Sequence, residues 1–349
     1  MVFSNPIERI PTSPPIIAPV TGQGNRPLWS VMIPVYNCLV HLQEALTSVL
    51  AQDLGPELMQ IAVIDDCSTD GDVQALVQRL GKDRVEYFRQ EENRGSLRNF
   101  ETCLNRSRGQ WVHLLHGDDW VAPGFYAEIA LLFREYPETG AAFTHNAHFA
   151  VNTTGEAELV ERQPFAEKAG IAKNFLLRIA EGQKLETPSI VVKRSVYEQL
   201  GGFFAVHYGE DWEMWARIAA HFPIAYSPKR LSYYRTMHKT SITRRSLETG
   251  QNVRDIIKVI DIIQNYLPIE QRKKLKKTAR RYYSLYCIDL ANSLYDDQPE
   301  ANLTVAFAQV KGAVAMSRDT EVIYLVFKFH IKNFVLYKQF KKLWQAWRG

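Results

Sequence analysis

The chain has 349 residues, 46% apolar and 23% charged, which is ordinary for a globular protein and enough for one large α/β domain plus an added module. A net charge of +4 is mild and by itself says little about partners; no nucleic acid partner is expected. The four cysteines (Cys38, Cys67, Cys103 and Cys287) are scattered and form no CxxC, which argues against a zinc site or a disulfide framework and fits a reducing cytosol.

Residues 1–26 carry Pro6, Pro11, Pro14, Pro15 and Pro19 and read as an extended lead-in, with no basic-then-apolar leader pattern. No apolar run reaches the roughly 20 residues that cross a bilayer. Val31 to Val35 is a short β-type run interrupted by Pro34 and followed by Tyr36-Asn37. Leu42, Ala45, Leu46, Val49 and Leu50 then make the stripe of an amphipathic helix. Ile61 to Ile64 reads as a buried strand ending in Asp65-Asp66-Cys67-Ser68-Thr69-Asp70, small polar residues suited to capping the next helix, Val73 to Leu80.

Val85 to Arg89 reads as a third strand and Arg98 to Ser107 as a helix. Val112 to Leu115 is a short buried strand that opens into His116-Gly117-Asp118-Asp119. A strand, a glycine and two adjacent carboxylates place oxygen ligands at the carboxyl edge of a sheet, where open α/β sheets bind ligands. Two charges this close repel unless a cation or donors offset them. A helix with Phe125, Ile129, Leu132 and Phe133 follows, then a strand at Ala141 to Thr144. Strands alternating with helices predict parallel βαβ units: a Rossmann-like, mostly parallel central sheet flanked by helices. No GxGxxG follows the first strand, which disfavours a dehydrogenase-type dinucleotide site.

Residues 150–186 are less regular, with a helix near Phe175 to Ile179. A strand at Ser189 to Val192 and a short helix ending at Gly201-Gly202 come next. In Gly209-Glu210-Asp211-Trp212-Glu-Met-Trp215, the tryptophans share one helical face, so Glu210 and Asp211 sit at the helix N-terminus. The helix dipole favours carboxylates there and is expected to keep Asp211 ionised. After a strand near Ile224 comes Tyr233-Tyr234-Arg235-Thr-Met-His238. From Ser246 the pattern is helical, and Val322 to Gly349 holds six Lys or Arg and no acid, interleaved with aromatic residues. The expected organisation is a lead-in at 1–26, an α/β domain at 27–245 and a helical module at 246–349.

VMIPVYN, IDDCSTDG, HGDDW, GGF followed by GEDWEMWAR, and YYRTMHKTS occur in the order found in the family 2 inverting glycosyltransferases, and the chain resembles that family over about residues 29–245. The resemblance implies a GT-A fold. It implies that Pro34, Tyr36, Asp66, Asn99 and Asp118 hold the nucleotide-sugar, with Asp66 accepting from a base N–H and Asp118 on the ribose. Asp119, joined by His238, would ligate Mn²⁺ or Mg²⁺, hard ions suited to carboxylate and diphosphate oxygens. Asp211 would be the general base, Glu210 its runner-up, and Gly202 and Trp212 would border the acceptor. Arg98 departs from the small residue usual in the family, and His116 reads as packing or outer shell.

By the same resemblance, the reaction moves a sugar, from UDP in the commonest case, to a saccharide or lipid-linked saccharide acceptor in cell-surface polysaccharide or glycolipid assembly. The basic-aromatic end fits a helix at an anionic membrane surface, at the inner face of the membrane for a cytoplasmic protein. The same composition could bind nucleic acid or pack on the catalytic domain, and the membrane is preferred because the family's relatives use lipid-linked acceptors. A nucleotidyltransferase would share the sheet and the metal but wants a Gly-rich phosphate loop near the first strand, which is missing. A binding module without turnover is the other alternative.

Overall fold

The computed structural model describes residues 8–21, 26–151, 157–161, 163–236, 242–297 and 299–347. It packs as two compact units, one of residues 1–179 with 183–244 and the other of 180–182 with 245–349.

The first unit is built on a sheet that begins with β1 (Trp29–Val35), every residue of which is buried. Helix α1 (Leu39–Leu50) lays Leu42, Ala45, Leu46 and Val49 onto the core. Strand β2 (Met59–Asp65), helix α2 (Val73–Gly81), strand β3 (Glu86–Arg89), helix α3 (Ser96–Arg106) and strand β4 (Trp111–Leu114) complete the parallel half. In it β1 pairs with both β2 and β4, and β2 with β3. Pro34 is tolerated in this central strand because β4 stops opposite Met32. Beyond that point, among the described residues, the bond on that side runs from Gly117 N–H to the Pro34 carbonyl, at 3.1 Å.

The other half mixes directions. Its elements are β5 (Trp120–Val121), α4 (Phe125–Glu135), β6 (Ala141–Val151), β7 (Ala157–Val160), β8 (Gly170–Ile171), α5 (Phe175–Ile179), β9 (Ile190–Lys193), α6 (Arg194–Leu200), α7 (Glu210–His221) and β10 (Ile224–Arg235). The spatial order is β3-β2-β1-β4-β9-β6-β10-β5. Strand β9 enters antiparallel between β4 and β6, while β6 and β10 are parallel. The expected α/β class holds, but parallel pairing is confined to the first four strands and the β6–β10 pair. Short strands arriving from different loops make the antiparallel contacts, and no hydrophobic period announces them.

The proline-rich residues 8–21 form no regular element yet are bonded along their length. The Pro15 carbonyl accepts from Gly202 N–H and the Pro11 carbonyl from Ala205 N–H, both at 2.8 Å, and Ile17 is buried. Gly201 has φ +78°, and a Cβ there would lie 2.8 Å from the Pro15 oxygen. A glycine is required for this approach.

The second unit is helical: α8 (Ile242–Glu248) leads in, followed by α9 (Gln251–Ile263), α10 (Ile269–Asp297), α11 (Pro299–Met316) and α12 (Thr320–Trp347). Ile256, Val259, Ile260 and Ile263 form the buried face of α9. Asn252 and Gln309 exchange amide hydrogen bonds at 2.9 Å inside this unit, and Ser284 Oγ donates to the Ala313 carbonyl at 2.9 Å. On α12 Phe329 is buried, whereas Ile323, Tyr324, Phe327 and Ile331 are exposed. The expected aromatic run from Phe334 onward concerns side chains outside the described residues. Among the described residues no helix is long and apolar enough to cross a membrane.

Candidate functional site

The carboxyl ends of β1, β2 and β4 carry the polar groups. Tyr36, just past β1, is 45% exposed, and Asn37 Oδ1 accepts from Thr69 N–H at 2.7 Å, tying the first two strand ends together. Asp65 is buried and bonded on both oxygens: its Oδ1 takes Ser68 N–H at 2.9 Å, and its Oδ2 takes Tyr87 OH at 2.8 Å and an ion pair with Arg89. Burial and the bond to Asp65 push the Tyr87 phenol up to about 12. Asp66 accepts from Arg94 N–H on Oδ1, and from Gly95 N–H and Asn93 Nδ2 on Oδ2, all at 2.8 Å. A carboxylate offers about four acceptor sites. Three donors leave room on Asp66 Oδ1 for a fourth, such as a base N–H.

Asn99 is buried, donates to the Ile64 carbonyl at 2.9 Å and accepts from Gln90 at 3.3 Å, so it fastens α3 to β2 from inside. Arg98 pairs with Glu101 at 2.7 Å and donates to the Glu8 carbonyl at 2.7 Å, a structural use of the residue that departs from the family pattern.

The turn after β4 differs. Gly117 lets it lie against β1, since a Cβ there would stand 2.9 Å from Cys38 Sγ and 3.0 Å from Val35. His116, Asp118 and Asp119 each offer a ligand atom, and these atoms lie within 4.8 Å of one another. Asp119 is buried; its Oδ1 accepts Arg235 N–H at 2.9 Å. Its Oδ2 and the His116 Nε2 have no hydrogen-bond partner among the described residues. Burial and then Asp118 push the Asp119 carboxyl well above its usual range, while burial lowers His116. Two orphaned buried atoms beside a third ligand atom, in a nest of repelling carboxylates, fit a divalent cation. Arg235 also donates to the Asp118 carbonyl at 3.1 Å, pairs with Glu44 and stacks over Trp120, holding the turn from the end of β10. His238 lies outside the described residues.

Asp211 stands in the first turn of α7, partly exposed. Its Oδ1 accepts its neighbour Trp212 N–H at 2.7 Å and its Oδ2 accepts Gln183 Nε2 at 2.6 Å. Burial, and next the charge of Glu186, push this carboxyl up to about 7. The helix N-terminus expected to keep it firmly ionised is outweighed by desolvation and a second acid. Glu186 lies between the two groups of residues: it meets Gln183, which holds Asp211, and His148, whose ring is 5.3 Å from that of Tyr234 next to Arg235. Neither Glu186 nor His116 was expected as a site residue. His116 stood directly before the acidic pair, but Glu186 belongs to no motif and is found only by folding.

The remaining expected residues pack inward. Trp212 is buried with its Nε1 donating to the Ile179 carbonyl at 2.7 Å, Gly202 lies under the proline-rich segment, and Glu210 is 8% exposed.

Against this geometry, residues 30–185 match the model of glycosyl transferase family 2. A Campylobacter jejuni GalNAc(5)-diNAcBac-PP-undecaprenol beta-1,3-glucosyltransferase is 26% identical over 263 residues, covering 74% of this chain and 81% of the relative. S. aureus TarS 1–349 in complex with UDP-GlcNAc superposes with a TM-score of 0.59 at 15% identity, covering 91% of each chain. A Pyrobaculum calidifontis mannosyltransferase in complex with GDP-Man and Mn²⁺ gives 0.53 at 20% identity, covering 96% of this chain and 86% of that one.

Proposed function

We propose that this chain, which belongs to glycosyl transferase family 2 and has the GT-A fold, transfers a sugar from a UDP-sugar to an acceptor hydroxyl with inversion, using Asp211 as general base. The observation that supports the reading is a run of contacts between the two acidic centres: Gln183 bonds both Asp211 and Glu186, Glu186 meets His148, the His148 ring lies 5.3 Å from that of Tyr234, and the next residue, Arg235, donates its N–H to Asp119.

Inversion needs a single carboxylate to take the acceptor proton on the side opposite the departing diphosphate. Asp211 is suited to it, since a base poised near neutral pH combines ionisation with proton affinity. Asp118, Asp119 and His116 would hold Mn²⁺ or Mg²⁺; the imidazole favours Mn²⁺. The bound ion supplies Lewis-acid stabilisation of charge on the leaving diphosphate. Tyr36, Pro34 and the open acceptor site of Asp66 would receive the base, and Asp118 the ribose. Asn99 would act by bracing α3 behind that pocket. Glu210 remains the runner-up base, and Gly202 and Trp212 would shape the acceptor side from beneath.

The undecaprenol-linked relative supports a lipid-linked saccharide acceptor in cell-surface polysaccharide assembly. The exposed Ile323, Tyr324, Phe327 and Ile331 beside lysines on α12 support contact with an anionic membrane from the cytoplasmic side. Tyr324→Glu with Phe327→Glu should lower co-sedimentation with phosphatidylglycerol vesicles, and unchanged sedimentation removes the membrane from the reading.

Asp211→Asn tests the chemistry. UDP release from UDP-sugars with Mn²⁺ should fall by about 10²–10⁴-fold, while UDP affinity by calorimetry stays within about twofold of wild type. In the wild type the rate should rise with pH to half its maximum near about 7, because Asp211 acts only when ionised. Turnover by the Asn variant at the wild-type rate would take Asp211 out of the mechanism.

A further inference from the structure

We infer that Gln183 is a positioning residue for Asp211, its one side-chain amide holding the carboxylates of Asp211 and Glu186 together. The proposal deepens the transferase reading, on which its catalytic consequence rests.

Gln183 Nε2 lies 2.6 Å from Asp211 Oδ2 and 3.0 Å from Glu186 Oε2, with the Leu185 carbonyl further off at 3.3 Å. An amide nitrogen has two N–H donors, so the two shortest contacts use both. Asp211 is then fixed at both oxygens, by Gln183 on one and by the Trp212 N–H on the other. Glu186 is fixed as well. Its Oε1 meets His148 Nε2 at 3.2 Å, and its carbonyl accepts Ser189 N–H at 3.0 Å and Ser189 Oγ at 2.6 Å. A line of contacts therefore runs from His148 on β6 through Glu186 and Gln183 to Asp211 on α7.

The chemistry of the bridging group matters. Two neighbouring carboxylates repel, and something must offset that cost. A lysine or arginine between them would do so with a full charge and would drop the basicity of Asp211. A neutral amide supplies two hydrogen bonds and no charge, so the carboxylate is oriented and remains a base. The charges around Asp211 include Glu186 directly; Glu186 in turn is set among His148, Asp119, His116 and Tyr234. The Gln183 amide is a neutral partner bonded to both acids.

The test compares full-length wild type with Gln183→Ala and Gln183→Glu. The Asp211 carboxyl is titrated by NMR in protein labelled with ¹³C-carboxyl aspartate, its signal identified by its loss in Asp211→Asn. Removing the donor should move the titration up by about one pH unit in Gln183→Ala, and further in Gln183→Glu, which adds a third acid of equal volume. UDP release with Mn²⁺ should then fall about fivefold at pH 7 through kcat in Gln183→Ala, and further in Gln183→Glu, with donor KM within about twofold, and recover towards pH 9. An unmoved Asp211 titration in both variants overturns the proposal. A moved titration in a wild-type background that releases no UDP from UDP-glucose, UDP-galactose or UDP-GlcNAc upholds the clamp and fails the transferase reading instead. Should Gln183→Ala not fold, the isosteric Gln183→Glu carries the comparison.

Discussion

The same dipeptide, Asp-Asp, occurs at the end of β2 and in the turn after β4, and the two pairs are set in opposite surroundings. After β2, every oxygen of Asp65 and Asp66 meets a donor: Ser68, Tyr87 and Arg89 on the first, Asn93, Arg94 and Gly95 on the second. After β4, Asp119 is as deeply buried but has one oxygen with no partner among the described residues, and Asp118 adds repulsion. The first pair is a joint that organises the loops around it. The second carries an unoffset cost that a cation bound there, as proposed, would relieve. Asp119 is as buried as Asp65 and Asp66, so what distinguishes it from them is the supply of donors.

The largest effect should come from dismantling the joint. Asp65→Ala leaves Arg89, Tyr87 and the Ser68 N–H without their common acceptor, and breaking such a buried pair costs about 3–5 kcal/mol. Arg89 is partly exposed and can be rehydrated, so the lower end is expected. A urea midpoint that does not move would mean that Asp65 is not structural. Asp119→Ala should be milder for folding but should cost about 100-fold in Mn²⁺-supported UDP affinity, comparable with losing a metal-site group. Equal affinity with and without Mn²⁺ in both proteins would dissolve the contrast between the pairs.

Much of this contrast was open to a reading of the chain alone, and part was closed to it. The parallel half of the sheet announces itself because buried strands and the Leu42, Ala45, Leu46, Val49 stripe have clean periods. The same reading places Asp65-Asp66 and Asp118-Asp119 at strand ends, since position along a strand is local information. Donor supply is not local. Arg94 and Gly95 reach Asp66 from nearly thirty residues away, and Arg235 reaches Asp119 from the far end of β10. For the same reason Asn99 looks like a ligand contact in sequence and is a buried brace in the fold. Glu186 and Gln183 lie in a segment without period or motif, and only tertiary folding brings them to Asp211. The proline-rich residues 8–21 dock through backbone carbonyls, which residue identity does not encode.

The smallest expected effect is the most discriminating, because its sign reverses. Asp119→Asn keeps the shape of the side chain and an oxygen for the Arg235 N–H, but removes a charge that burial and Asp118 disfavour. The folded-state carboxyl titrates above its unfolded value, so the folded state binds the proton more tightly and wild-type stability falls as pH rises through that range. In EDTA the Asn variant should therefore be more stable by about 1 kcal/mol, the usual gain from relieving a functional-site conflict, and more so at pH 8 than at pH 5. With Mn²⁺ at a hundredfold excess over its dissociation constant, the wild type should instead gain about 2.7 kcal/mol from binding, and the order should invert. Thermal unfolding of both proteins with EDTA and with Mn²⁺ reads this directly. If Asn is destabilising under both conditions, Asp119 belongs with Asp65 as a structural group, and the second pair is no cation site.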